Sequence, residues 1–301
     1  MKKTWMSVLA AVGALTFLPA TAMSSPIYVV SAGIAGNGIF GTVDTASGAF
    51  QQIGPGNPDG YFGLVPASNG KLLSLTYTGN LDSIDPVTGV PTGIGPTGLV
   101  GCLDPSACTF SSPFTIGSAN GSIYLTDESN RLYTVDPGTG QATLFSANSG
   151  LPAFPFLAGT QNADGTFNFV DESIFGVSGN LYVTFDAFVF DFGTGMPVST
   201  PVDPALYRVD LATGKATKVG ATDLGIGATW TSNGSAYVFN DATNGIALLD
   251  VTTGNTTPVG SFDPSAGVIQ GAAAIPEPCT FLLVGAALGG LALLRRRFAC
   301  E

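Results

Sequence analysis

The chain has 301 residues, a formal net charge of −11 and no histidine. Without histidine, Ser-His-Asp catalysis, histidine metal sites and histidine haem ligation are excluded. Between residues 23 and 275, seventeen aspartates and two glutamates face five basic residues (Lys71, Arg131, Arg208, Lys215, Lys218), a balance of −14 that argues against nucleic acid or anionic membrane surfaces as partners.

In chain order, the first element is a secretory signal. Lys2 and Lys3 precede the apolar run 6–18, and Ala20 and Ala22 supply the small residues a signal peptidase reads, so cleavage is expected after Ala22. No cysteine follows that point and no twin arginine precedes the run, which favours the general secretory route and an exported body of residues 23–275.

The body reads as all-β, with short runs rich in Thr, Val, Ile, Phe and Tyr separated by glycine turns. A repeat is clearest at residues 206–220. It carries an aspartate and, four residues later, a glycine: Asp44/Gly48, Asp85/Gly89, Asp136/Gly140, Asp210/Gly214 and Asp250/Gly254, with successive aspartates 41, 51, 74 and 40 apart. Such periods belong to repeat architectures, and four strands per period point to a propeller. The physical reading of each pair is a hairpin turn: the carboxylate accepts backbone amides, and glycine supplies a positive φ. Turn capping accounts for both residues together, so these aspartates are expected to be structural turns rather than a metal array.

A second hairpin opens most units, through Asn69-Gly70, Asn120-Gly121 and Asn233-Gly234, with Gly179-Asn180 as a variant joining 174–177 to 181–185. The first unit lacks its opening strand, whereas 269–274 is an opening strand with nothing after it. The two fragments complete each other, so a five-bladed β-propeller of four-stranded antiparallel blades, closed by a C-terminal strand, is expected. The 74-residue gap is read as a hairpin inserted in blade four at residues 186–204. Insertions at 99–113, 146–170 and 186–204 are the candidate binding loops, with Phe154, Phe156, Phe188, Phe190 and Phe192 among them.

Cys102 and Cys108 are the only cysteines in the body, and in an oxidising compartment a small-loop disulfide is expected. No cofactor is expected. A carboxylate-dependent glycoside hydrolase or lyase is the enzymatic alternative, since it needs a paired acid and base. Glu128 and Glu172, in the triplets 127–129 and 171–173, are its glutamate candidates, although both positions read as surface turns. Calcium stabilisation is a third possibility, through oxygen-rich stretches such as Asn240-Asp241 or Asp82 with Asp85, but no complete EF-hand spacing is present.

The C-terminal segment 276–301 is Pro276-Glu277-Pro278, an uncharged apolar stretch (helix expected at 279–294), and Arg295-Arg296-Arg297. As a helix, residues 281–294 rise about 21 Å, short of the roughly 30 Å hydrocarbon layer. The arginines would stay cytoplasmic. This order resembles the PEP-CTERM sorting signal of Gram-negative bacteria. The resemblance implies processing by exosortase, a membrane protease-transpeptidase, through an inner-membrane-anchored intermediate. It also implies a cell-surface or extracellular destination, with exopolysaccharide or another surface protein as possible partner. The body is then expected to be a non-catalytic binding or structural propeller.

Overall fold

The computed structural model describes residues 26–32, 38–99, 113–155, 161–191, 193 and 196–274. The signal segment, Cys102, Cys108 and the sorting segment lie outside the described residues. Among the described residues no helix is long and apolar enough to cross a membrane.

Among the described residues, twenty strands form five four-stranded antiparallel sheets. Blade one contains β1 (Ile27–Ala32), β2 (Gly38–Val43) and β3 (Phe50–Gln52). Blade two is β4 (Phe62–Pro66), β5 (Leu72–Leu75), β6 (Asn80–Ile84) and β7 (Pro91–Pro96). Blade three is β8 (Pro113–Ala119), β9 (Ser122–Asp127), β10 (Leu132–Val135) and β11 (Ala142–Ser146). Blade four is β12 (Phe167–Val177), β13 (Asn180–Asp191), β14 (Met196–Asp210) and β15 (Lys215–Ala221). Blade five is β16 (Ile226–Ser232), β17 (Ser235–Asn240), β18 (Gly245–Leu249) and β19 (Thr256–Ser261). A short 3-10 turn, Pro264–Ala266, leads into β20 (Val268–Ala273), which pairs with β1 and completes blade one. The inner strands β4, β8, β12, β16 and β20 contact one another in a ring.

Alternating strand direction gives the ring two different faces. The first-to-second strand turns of blades two to five and the third-to-fourth strand turns of all five blades lie at one end, here the lower face. The second-to-third turns and the connections between blades lie at the other, the upper face. On the lower face, Asp85 Oδ1 accepts the amides of Val87 and Thr88 at 2.9 and 3.0 Å, and Gly89 has φ 68°. Asp44, Asp136, Asp210 and Asp250 accept amides in the same way, one turn per blade. Gly48 and Gly214 take the positive φ expected of them, 76° and 67°.

The turn glycines do more than the sequence indicates, because all five are buried under the outer edge of the preceding blade. Gly48 lies against Ser261 and Phe262 of blade five, and Gly214 against Phe145 and Ser146 of blade three. Gly89 lies against Ile53 and Gly54, Gly140 against Gly95, and Gly254 against Gly220 and Ala221. A side chain at any of them would strike the neighbouring blade, so the missing Cβ serves packing as well as backbone conformation. In the tight hairpins Asn120-Gly121 and Asn233-Gly234, both residues take positive φ, the mirror-image turn that suits twisted strands. In blade four the turn residues are Ser178 and Gly179, one position earlier than the sequence indicates, because Val177 pairs with Asn180.

The inner strands approach closely enough that side chains are excluded at some points. A Cβ on Gly176 would meet the carbonyl oxygen of Ser118 and stand 2.9 Å from the Cα of Ala119, while Gly117 faces Ile174 in the same way from blade three. What remains of the channel there is a space of about 60 Å³ lined by residues including Val65, Ile174, Trp230 and Ala272. The core lies between blades; one cluster joins Phe114, Leu132, Val183 and Phe185 across blades three and four.

Blade four departs most from its siblings. Its first strand begins at Phe167, seven residues before the expected Ile174, so part of the supposed 146–170 loop is strand. Phe167 pairs with Phe190, and β13 continues against β14 to Asp191↔Met196. The inserted hairpin at 186–204 is therefore a continuation of β13 and β14, and the three lengthened strands project as one sheet from the upper face.

Candidate functional site

The upper face gathers features that the sequence scatters. The described ends of the three long insertions lie there, because each joins successive blades or a second strand to a third. Asp186, Asp241 and Glu128 stand seven residues after the hairpin glycines Gly179, Gly234 and Gly121, so the common strand length delivers each to the upper end of its blade. Blade two places Tyr77 there instead. The spacing from the turn glycine was the signal by which these acids could have been found.

The inner ends of the blades are bridged by these groups. At the junction of blades three and four, the Thr126 hydroxyl donates to Glu172 Oε1 at 2.6 Å. At the next junction, Gly225 N–H donates to Asp186 Oδ2 at 2.9 Å, and Thr229 N–H to Ser173 Oγ at 3.0 Å. Between blades five and one, Ile269 N–H donates to Asp241 Oδ1 at 3.1 Å. Tyr77 donates its hydroxyl to Gln270 Oε1 at 2.5 Å, joining blade two to the closing strand.

Glu128 and Glu172, expected as surface turns, are 3% and 4% exposed. Their triplets look like turn sequences, but Glu172 lies inside the lengthened β12, and its side chain faces blade three rather than solvent. Burial pushes Glu172 up to about 8, against the Thr126 bond that lowers it, with the nearby Asp127 charge adding to the rise. Burial, with Asp127 again adding, pushes Glu128 up to about 7. Burial also raises Asp171 and Asp186, which face each other in register, and Asp171 raises Asp186 further; Asp241 lies well above the ordinary range from the same causes. Asp127 is held by Arg131 at 2.6 Å and by the Tyr133 hydroxyl at 3.0 Å. Glu128 Oε2, Glu172 Oε2, Asp186 Oδ1 and Asp241 Oδ2 are buried without a hydrogen-bond partner.

Chemically, burial favours the protonated form of Glu128, Glu172, Asp186 and Asp241, the state a carboxyl needs to donate a hydrogen bond or to act as a general acid. Among the described residues, no group of three or more acidic or cysteine side chains is arranged to hold a metal ion. The five turn aspartates are distributed one per blade on the lower face, away from the acids of the upper face.

Aromatic side chains also collect above. Phe62 contacts Tyr77 and Phe114, Phe114 meets Phe154 edge-on at 4.9 Å, and Phe154 reaches Phe185 at 5.4 Å. Phe154 is therefore a buried tether for its loop. On the projecting sheet, Phe169 stacks on Phe188 at 5.4 Å and meets Phe190 edge-on at 6.1 Å. Phe169 and Phe190 are half-buried, whereas Phe156 and Phe192 lie outside the described residues. A separate groove of about 670 Å³ on blades three and four is lined by Asn120, Asn180, Arg208, Asp210 and Lys218. Arg208 is engaged there with Asn180 at 2.8 Å.

Fold and site together define the chain as a five-bladed β-propeller with buried acids and clustered aromatic rings at its upper end. No protein-family model matches the chain, nor does any curated protein. Among solved structures it is similar to a chain of the nidogen/laminin complex: 12% identity over 85% of this chain and 99% of that one, TM-score 0.47. It is also similar to a catalytically inactive virginiamycin B lyase from Staphylococcus aureus with quinupristin: 13% identity, 81% and 72% coverage, TM-score 0.40. A third is the PQQ-bound aldose sugar dehydrogenase from Streptomyces coelicolor: 13% identity, 72% and 85% coverage, TM-score 0.41. At these values none of them bears on the chemistry of this chain.

Proposed function

We propose that the chain is an exported PEP-CTERM-type protein whose propeller is a non-catalytic binding module of the cell surface or the extracellular polymer. The observation that carries this reading is the segregation of the two faces. The described ends of the long connections, the projecting sheet of blade four and the buried acids belong to the upper face. β20 ends on the lower face at Ala273, beside the start of β1, so the chain leaves toward Pro276 from the opposite side. A body tethered or released through that end presents its upper face outward. Hydroxyl-rich neutral glycans suit the half-buried aromatic rings of the projecting sheet and an acidic body better than anions do.

The exported protein retained on the producer's own polymer or on a glycan array, with retention reduced by Phe190→Ala, is the expected result. Absence of retention on both sinks the binding reading. For the sorting reading, mass spectrometry of the surface-exposed protein should find a C-terminus upstream of Arg295-Arg296-Arg297. An intact tail refutes it.

A carboxylate-dependent hydrolase or lyase is the second reading, favoured by one observation: Glu128 and Glu172 hold raised pKa values of about 7 and about 8 on the same face. Such a group can act as general acid near neutral pH. Any glycan cleavage detected should then vanish in Glu172→Gln, and activity intact in both Glu172→Gln and Glu128→Gln ends this assignment.

A further inference from the structure

We infer that the seam joining blades four, five and one is a proton-operated closure, in which Asp186 and Asp241 hold the ring shut while they retain protons and loosen it when they ionise beside Asp171. The geometry is that of three carboxyls at two successive junctions. Asp186 on β13 reaches the amide of Gly225, which leads into blade five. Asp241, just after β17, reaches the amide of Ile269 on β20, the strand that closes the ring. Asp171 sits opposite Asp186 in the β12–β13 register, and its charge acts on both of the others.

Each bridging carboxyl uses one oxygen for the neighbouring blade and leaves the other orphaned: Asp186 Oδ1 and Asp241 Oδ2. The Asp241 oxygen occupies the space that a side chain on Gly227 would fill. A protonated carboxyl can donate from its spare oxygen, whereas a carboxylate only accepts. Ionisation therefore adds buried, unsolvated negative oxygens beside one another, and the cost falls on the contacts between blades.

Charges facing the seam give little relief. Glu172 on β12 points to blade three; Asp223, ahead of β16, is bound by the Thr256 hydroxyl. β20 carries no charged residue. On blade three, Arg131 is paired to Asp127, and burial favours the protonated form of Glu128, so that blade brings no free positive charge to the seam. Among the described residues, no lysine or arginine is ion-paired to any of the three seam acids.

The test is amide hydrogen exchange on the exported protein at pH 6 and pH 9, corrected for intrinsic base catalysis. Protection of Gly225 and of β20 should fall by roughly tenfold or more at pH 9, while the amides of blade two keep theirs. The double variant Asp186→Asn, Asp241→Asn should retain β20 protection at both pH values. Asp171→Asn leaves both inter-blade bonds in place and relieves the charge on their acceptors. If the double variant does not fold, Asp171→Asn should still show the smaller pH response. Wild-type β20 protection independent of pH, or a response undiminished in Asp171→Asn, overturns the inference.

Discussion

Replacing Gly176 with alanine tests whether the ring is sized by contact between its inner strands. The added methyl carbon would stand 2.9 Å from the Cα and 3.0 Å from the Cβ of Ala119 and would press on the Ser118 carbonyl. Ordinary carbon contacts begin near 3.5 Å and the Ser118 oxygen stands closer than either Ala119 atom, so blades three and four must separate by roughly 1 Å. Overpacking of this kind costs about 1–3 kcal/mol. Because Gly176 has ordinary extended backbone, alanine recovers about 0.5–1 kcal/mol through the unfolded chain, leaving a net loss of about 1–2 kcal/mol. For a body of this size that corresponds to a melting temperature lower by about 3–7 °C. Gly93 is the control: a Cβ there meets only Asp82 Oδ1 at 3.9 Å, so Gly93→Ala should be neutral or slightly stabilising. Calorimetry and urea denaturation of both variants decide the matter. Equal stabilities for the two would refute the claim that strand approach at the axis is limiting.

Glu172→Gln should stabilise increasingly as pH rises. The native carboxyl, with its pKa raised to about 8, keeps a proton that the unfolded chain releases above about 4.5. Wild-type stability therefore falls between those values and levels off above them, and the gain at pH 8 should be on the order of 2–5 kcal/mol. Parallel urea midpoints for variant and wild type at pH 5 and pH 8 would contradict this. The lower-face turns have the opposite sign: backbone amides hold Asp85, and hydroxyls and amides hold Asp250, below the ordinary carboxylate range. Their stabilisation is present above the unfolded pKa and lost as pH falls through the folded one, so Asp250→Ala should shift the urea midpoint more at pH 7 than at pH 3. Phe154→Ala should cost about 3–5 kcal/mol, since the ring is 5% exposed between Phe114 and Phe185. A change under about 1 kcal/mol would mean that the loop is not tethered there.

Blade number, strand order and the joining of the two chain ends were legible because they rest on short-range signals. Asp-x-x-x-Gly and Asn-Gly fix turns locally, and counting turns counts blades. The second duty of Gly48 and Gly214, lying under a neighbouring blade, was not legible, since positive φ alone already explained a glycine there. Blade four was misread at its start because Phe167 to Ser173 contains Asp171 and Glu172, which look like solvent turn residues until a neighbouring blade covers them. The acids of the upper face escaped for the same reason. Their burial is created by the ring, between strands distant in sequence, so no local pattern reveals that Glu172 meets Thr126 or that Asp241 meets Ile269. Gly117 and Gly176 likewise read as weak points in strands, and only the convergence of the inner strands explains them.

The pairing of Tyr28 with Ala273 also governs the order in which the molecule can be made. Blades two to five are built from neighbouring hairpins and can form as their residues emerge. Blade one has to wait with an open edge until the last strand is delivered, because its inner strand is encoded almost 250 residues away. Such a long loop closure makes the final step slow compared with the hairpins. During that interval, the exposed edge of β1 is the segment most in need of protection against pairing with another chain. A truncation before residue 268 would make that interval permanent.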